Sequence, residues 1–341
     1  MANSTIKNVA LTALSSVVGN IVKNIDDQEA LYGSASKVKQ LKQHIGFGTR
    51  YIAPEDVTAA DLAIEAAQRL FTEYKLDKDT LDAMIFVVQT PDYILPATAH
   101  AIHHQLELPK TCGCFDINLG CSGYVYGLWV AASLLAANGY KKVLLLVGDT
   151  PSKHANPQDK TLASLFSDSA CATLLEYAEG DAIDFSLHSD GSGLKSLYIP
   201  AGGFREPITA DKLIPAKDKQ GNMRAANQLI MQGEDILNFT LNEVAESIQD
   251  FLTHAHLSED DLDHFFVHQP NRLMVNALIK TLGFDQKKFV STKFFNQYAN
   301  LSSCSVPLSM SFQHQLYQLF KLMTRFKPVS CCNRRNFSVF C

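Results

Sequence analysis

The sequence predicts a layered α/β fold built from two similar halves, and three observations lead there. Short apolar runs bounded by turn residues alternate with longer segments of helical pattern, the order expected when helices cover a sheet. At 341 residues the chain has the length of about two domains, or of one large duplicated unit. Two stretches half a chain apart carry the same order of features. Leu76–Pro91 reads LDKDTLDAMIFVVQTP and Leu257–Pro270 reads LSEDDLDHFFVHQP. Each has an acidic helix-start region, then Leu-Asp, then an apolar strand, then Gln close to Pro. One echo at half the chain length points to two homologous halves rather than a solenoid, with chance similarity of two connections as the alternative.

The elements follow in order. Leu81-Asp82 leads into a buried strand over Ala83–Val88, and Ala97–Leu106 has a helical pattern. Cys114–Ile117 is a short strand. Ser122–Ala137 is a helix of small residues stopped by Asn138-Gly139. Lys142–Val147 is a Val- and Leu-rich strand ending at Gly148-Asp149, and Phe265–Val267 is another strand. The polar stretch Glu176–Asp181 lies between two apolar runs. It divides the chain into an N-terminal half, 1–178, and a C-terminal half, 179–341.

Composition excludes several classes. The chain is 46% hydrophobic and 19% charged with a formal net charge of -5, the balance of an ordinary globular protein. No basic block or stripe appears, so no nucleic-acid partner is expected. Met1–Lys23 lacks the apolar run of a signal peptide, and stretches such as Val143–Val147 are too short to span a bilayer, so a cytoplasmic protein without membrane contact is expected. The eight cysteines then read as free thiols. His100 and His104 share a helical face, and Cys112 and Cys114 form a C-x-C, but no third ligand is evident and no metal is expected. There is no phosphate-binding loop and no dinucleotide fingerprint, so no cofactor is expected.

Three residues carry candidate chemistry. Cys121 follows a strand and a tight Gly turn and precedes a helix of small residues. A thiol there faces the positive end of the helix dipole and unpaired N–H groups, which favour the nucleophilic thiolate. The same position also suits a buried core cysteine. His268 lies at the carboxyl end of a strand, where layered α/β folds bind ligands, and also suits a hydrogen-bonded turn. Asn300, in a loop leading into a helix, reads as a turn or cap residue or as a neutral hydrogen-bond donor.

Taken together these segments resemble one family. Asp116–Gly127 (DINLGCSGYVYG) is similar to the nucleophile segment of the 3-oxoacyl-(acyl-carrier-protein) synthase III family of the thiolase superfamily. Val267–Asn271 (VHQPN) resembles its His-Gln-Ala-Asn motif, and Tyr298–Leu308 its Gly-Asn-Thr-Ser-Ala-Ala-Ser-Ile-Pro stretch. Ile45–Ile52 (IGFGTRYI) and Met231-Gln232-Gly233 match two further segments, in family order, over roughly residues 5–310.

The resemblance implies a thiolase-like five-layered fold of two duplicated βαβαβαββ halves and a homodimer. The first half would carry the nucleophile and the second His268 and Asn300. The implied reaction is a decarboxylating condensation in fatty-acid or related acyl-chain biosynthesis. An acyl group from acyl-coenzyme A or an acyl carrier protein would load onto Cys121, and malonyl-acyl-carrier-protein would then condense with it. His268 and Asn300 would stabilise the enolate. Two alternatives share the scaffold: acyl transfer to an amine or hydroxyl, and an inactive relative that binds acyl chains.

The chain departs from the family pattern in four places. From about residue 310 the tail is rich in Cys and Arg and lacks the family's Gly-rich loop; Gly283 is the last glycine. The resemblance with a divergent end makes the C-terminal half incomplete, and a change of reading frame near 310–328 would account for it. Gln40 and His44 align with the Trp and Arg that hold the coenzyme A adenine in the family, and a later basic residue of the family's donor site is kept at best as Lys160. Phe166-Ser167-Asp168-Ser169 replaces Phe-Gly-Asp-Gly. Ala299 replaces the Gly before Asn300, which would strain that loop if the position needs a positive φ.

Overall fold

Central to the computed structural model, which describes residues 2–137, 139–313 and 337–340, is a mixed five-stranded sheet. Its strands are β1 (Ala2–Val18), β2 (Ala83–Val87), β3 (Gly113–Ile117), β4 (Lys142–Asp149) and β5 (Ser169–Leu187). They lie in the order β1-β5-β4-β2-β3, with β2 parallel to both β3 and β4, and β5 antiparallel to β4 and β1. β2 and β4 are interior strands. All of β2 and all of β4 after Lys142 are buried, which is why they read as continuous apolar runs instead of alternating ones.

The two faces of the sheet pack on different layers. Met84, Phe86, Leu144 and Leu146 face α1 (Ala59–Tyr74), whose apolar stripe includes Ala63, Ala67 and Leu70 and whose start is fixed by a Thr58–Asp61 capping box. Ile85, Val87, Leu145 and Val147 face α3 (Gly123–Ala136), which follows α2 (Thr98–Gln105) and β3 in the chain. Residues of the second half, Phe266, Val290, Leu301, Cys304, Val306 and Leu308, pack into that same layer. α3 is therefore enclosed by both halves, and its apolar, small-residue composition follows from that. It ends at Ala136, and Gly139 just beyond has a φ of 128°; Asn138, the other expected stop residue, lies outside the described residues.

In the second half, helices again pack on a strand, within a two-stranded sheet among the described residues. α4 (Ala245–His254) and α5 (Arg272–Leu282) pack on β6 (His264–Val267). Alternation along β6 decides which side chain faces which layer. Phe265 and Val267 join the outer helices, while Phe266 joins the layer shared with the first half. Phe265 stacks on Phe289 with ring centroids 4.7 Å apart, a contact worth about 0.5–1.5 kcal/mol beyond its buried area. β6 pairs in parallel with β7 (Phe337–Phe340). A further helix, α6, is described over 305–313. Of the divergent tail, residues 314–336 and 341 lie outside the described residues.

Both copies of the sequence echo fold alike. The first is a 3-10 turn, Lys78–Thr80, capped by Asp77 and followed by β2. The second is a 3-10 turn, Glu259–Asp261, with a Ser258–Asp261 capping box and followed by β6. The expected boundary after residue 178 falls inside β5, at a bulge. There, pairing jumps from Lys7–Ala182 to Val9–Tyr177, and the Gly180 N–H donates to Asn8 Oδ1 at 3.1 Å.

Gly123 sets how closely α3 approaches β2. A Cβ at this position would stand 2.4 Å from Val87 Cγ1 and 3.3 Å from Leu119 Cβ. Gly123→Ala is expected to destabilise the chain by about 1–3 kcal/mol through overpacking. Gly191→Ala, where no atom lies within 4 Å, should be nearly neutral. Urea midpoints of the two variants check this; an unchanged Gly123→Ala midpoint would mean the helix can move away freely.

Candidate active site

The carboxyl ends of four strands converge on one place. β2 runs into Gln89 and Thr90, β3 into the turn carrying Cys121, β4 ends at Asp149, and β6 runs into His268. Cys121, His268 and Asn300 all line one cleft, together with Gln89, Asp149 and Ser302.

Cys121 is held by the turn between β3 and α3. The Gly123 N–H donates to the Gly120 carbonyl at 2.7 Å, closing the turn. A Cβ at Gly120 would lie 2.2 Å from Gln89 Oε1, so the Gln89 side chain packs directly over this turn. The residue is half-buried, and a hydrogen bond with the Ser302 side chain favours its thiolate form. Burial here opposes the ionisation that the helix start favours. Burial, and after it the Asp149 charge, push the Cys121 thiol up to about 11, outweighing the lowering by its own backbone N–H and Ser302. The helix start is a local feature; the burial comes from the second half packing over it.

His268 Nδ1 lies 2.7 Å from Ser305 Oγ on α6. Burial holds its pKa down to about 4, although a hydrogen bond to the Ser302 carbonyl opposes the shift, so the ring is neutral near pH 7. Asn300 is buried at 4% exposure and its backbone is fixed on the first half. Its N–H donates to the Leu165 carbonyl at 2.9 Å, and its carbonyl accepts from the Ser167 N–H at 2.9 Å. Its Oδ1 accepts from the Ser302 N–H at 2.9 Å. An N–H donor requires the oxygen there, so the amide NH2 is the end left to donate.

The segment in place of Phe-Gly-Asp-Gly is part of this anchor. Ser167 Oγ accepts from the Tyr51 N–H, and Asp168 accepts from the Ala53 N–H and from Ser152 N–H and Oγ. Ala299 has φ 57° and ψ −158°, a region nearly confined to glycine, so the loop before Asn300 is strained as the sequence implied. Gln40 and His44 lie exposed on the helix Ala35–His44, away from these contacts, and Lys160 is exposed. Sequence reasoning did not single out Asp149, Ser302 or Ser305. Only Asp149 carried a signal, as a polar residue closing a central strand.

Among the described residues no group of three His, Cys, Asp or Glu side chains could hold a metal ion, and no helix is long and apolar enough to cross a membrane.

Against known proteins, residues 115–191 match the family model of 3-oxoacyl-(acyl-carrier-protein (ACP)) synthase III, and residues 252–318 match the model of its C-terminal domain. A putative 3-oxoacyl-(acyl-carrier-protein) synthase 3 of Campylobacter jejuni is 36% identical over 289 residues, 83% of this chain and 80% of the relative. A beta-ketoacyl-(acyl-carrier-protein) synthase III of Fusobacterium nucleatum is 30% identical over 293 residues, 85% of each chain. A crystal structure of a 3-oxoacyl-(acyl-carrier-protein) synthase III superposes with a TM-score of 0.85 at 34% identity, covering 91% of this chain and 92% of the other. A 3-oxoacyl-(acyl-carrier-protein) synthase from Burkholderia xenovorans gives a TM-score of 0.84 at 35% identity, covering 91% and 87%. The fold is thus the thiolase-like α/β fold of condensing enzymes. The chain belongs to the 3-oxoacyl-(acyl-carrier-protein) synthase III family.

Two predictions follow from the geometry. Ala299→Gly removes backbone strain worth about 1–3 kcal/mol against a smaller entropic cost of glycine, and should raise the urea midpoint. A lower midpoint would mean that Ala299 is not strained. The second concerns acid. His268 titrates at about 4 in the folded chain against an ordinary 6.5, so the unfolded chain binds that proton first. As pH falls from 6.5 to 4 the folded state loses roughly 3 kcal/mol from this group. Asp149 has the opposite sign, since its folded value of about 6 lies above the ordinary 3.8. Between about pH 7 and about pH 5, His268→Gln should lose less stability than the unaltered chain and Asp149→Asn more. Equal losses in all three would contradict both assignments.

Proposed function

We propose that this chain performs the decarboxylating condensation of an acyl thioester with malonyl-acyl-carrier-protein, with Cys121 as nucleophile and His268 and Asn300 as paired donors. The observation that carries the reading is the pair of neutral donors: an imidazole uncharged near pH 7 and an amide whose oxygen is already engaged, both in the cleft of a cysteine at a helix start. The half 1–178 supplies the nucleophile and the half 179–341 the donors.

In the first step Cys121 Sγ forms a thioester with the acyl group and the carrier thiol leaves. In the second, His268, in the tautomer whose Nδ1 accepts from the Ser305 hydroxyl and whose Nε2 carries the proton, and Asn300 donate hydrogen bonds to the thioester carbonyl of the malonyl group. As carbon dioxide departs, negative charge collects on that oxygen and both bonds strengthen. The resulting enolate attacks the acyl carbon and expels Cys121, giving a 3-oxoacyl thioester. Neutral donors suit this step because neither can ionise further and compete for the charge.

Gln40 and His44 replace the family's adenine-holding pair and support an acyl carrier protein, rather than coenzyme A, as the acyl donor. β3 supports a homodimer: among the described residues it is an edge strand of the sheet, with Phe115 38% exposed, and it offers that backbone edge to a second copy.

The test is intact-protein mass spectrometry with short acyl-coenzyme A and acyl-carrier-protein donors, followed by carbon dioxide release from malonyl-acyl-carrier-protein. The full chain should gain one acyl group that Cys121→Ala cannot gain. His268→Ala and Asn300→Ala should still be acylated but release carbon dioxide about 100- to 1,000-fold more slowly. Folded protein that takes up no acyl group would leave an inactive acyl-binding relative as the better reading.

A further inference from the structure

Asp149 takes no part in the reaction described above, yet its carboxylate is 3% exposed and close enough for its charge to act on the Cys121 thiol. Its two oxygens are used unequally. Oδ1 accepts three hydrogen bonds, from the N–H groups of Gln89 (2.7 Å) and Thr90 (3.1 Å) and from the Thr90 hydroxyl (3.2 Å). Oδ2 accepts one, from the Ser302 hydroxyl at 3.1 Å. That hydroxyl is also the hydrogen-bond partner of the Cys121 thiol. Oδ1 is therefore pinned, and Oδ2 is the oxygen with room for a proton.

The direction of the chain follows from donor counting. Ser302 has one proton and an ionised carboxylate can only accept, so the hydroxyl donates to Asp149 and accepts from the Cys121 S–H. Ser302 is itself held in place. Its N–H donates to Asn300 Oδ1 and its carbonyl lies 2.9 Å from Ser305 Oγ.

We propose that Asp149 is the proton acceptor for Cys121 during acyl transfer, acting through the hydroxyl of Ser302. The inference rests on the reading of Cys121 as the nucleophile. As Sγ attacks the thioester carbon, the thiol proton passes to Ser302 Oγ and the proton of Ser302 passes to Asp149 Oδ2. The bond from the acyl carbon to Cys121 forms and its bond to the carrier sulfur breaks. The leaving thiolate recovers the proton by the reverse route, so Asp149 ends ionised. Midway, both hydrogen bonds of Ser302 have reversed and the hydroxyl donates to the sulfur as negative charge appears there.

Burial raises the Asp149 carboxyl to about 6, closer to neutral pH than an ordinary carboxylate and better matched to proton transfer there. The other titratable groups at this site are the thiols of Cys121 and Cys304 and the His268 imidazole, which meets the Ser302 carbonyl and titrates lower, at about 4; Gln89, Thr90 and Ser302 do not ionise.

The experiment compares the full chain with Asp149→Asn and Ser302→Ala by two readouts: acylation by hexanoyl-acyl-carrier-protein, followed by intact mass, and alkylation of Cys121 by iodoacetamide across pH. Acylation by the unaltered chain should fall below about pH 6, as its acceptor protonates. Both variants should acylate on the order of 100-fold more slowly. Asp149→Asn should lose the acid limb, yet alkylate faster at about pH 8, because removing a like charge lowers the thiol pKa. Ser302→Ala leaves the three bonds to Oδ1 in place and so separates the relay from the anchoring of Gln89 and Thr90. The proposal is overturned if Ser302→Ala acylates at the normal rate, or if acylation and alkylation fall together in Asp149→Asn with an unchanged pH midpoint. An unaltered chain that takes up no acyl group removes the nucleophile reading and the relay with it.

Discussion

The docking of residues 300–305 onto the first half is the constraint on which the site depends. Asn300 exchanges two backbone hydrogen bonds with Leu165 and Ser167, Ser302 bonds Asp149, and the Cys304 thiol donates to the Val147 carbonyl at 3.3 Å. Leu301, Val306 and Leu308 bury apolar surface in the layer around α3. Four hydrogen bonds at about 1 kcal/mol each, with three buried aliphatic side chains at about 1.5–3 kcal/mol each, exceed the roughly 1–3 kcal/mol of strain at Ala299. The strained turn persists because its surroundings over-determine it. The same segment carries Ser305 to His268, so one stretch of chain aligns groups from both halves.

What the sequence made legible was whatever local pattern controls. The continuous apolar runs of β2 and β4 announced strands buried on both faces, and the small-residue run after Cys121 announced α3. The echo around Leu81-Asp82 and Leu262-Asp263 marked two equivalent turn-strand units, each starting from an acidic 3-10 turn. Cys121, His268 and Asn300 could be proposed for one site because the ordered segments that carry them resemble one family, not because any one position decided it. Asp149, Ser302 and Ser305 could not, because their roles depend on contacts 30 or more residues away. The Cys121 thiol shows the same limit. Its helix-start position and the chance of burial were both legible in the sequence, but which of the two dominates the thiol was not.

Ser302 also separates the charges the reaction requires. Its hydroxyl faces Asp149 and Cys121, while its carbonyl faces Ser305 and His268. Near pH 7 a carboxyl of pKa about 6 is mostly ionised, whereas a thiol near 11 and an imidazole near 4 are both neutral. Of these three groups only Asp149 then carries charge, and it lies on the hydroxyl side. The enolate would form on the other side, against His268 and Asn300. A second negative charge close to Asp149 would be costly in a low-dielectric site, and the cost falls with separation. On the proposed reading, placing Cys121 and Asp149 on one side of Ser302 and the His268–Asn300 pair on the other keeps the ionised Asp149 apart from the enolate. The peptide unit of Ser302 forms the partition between them.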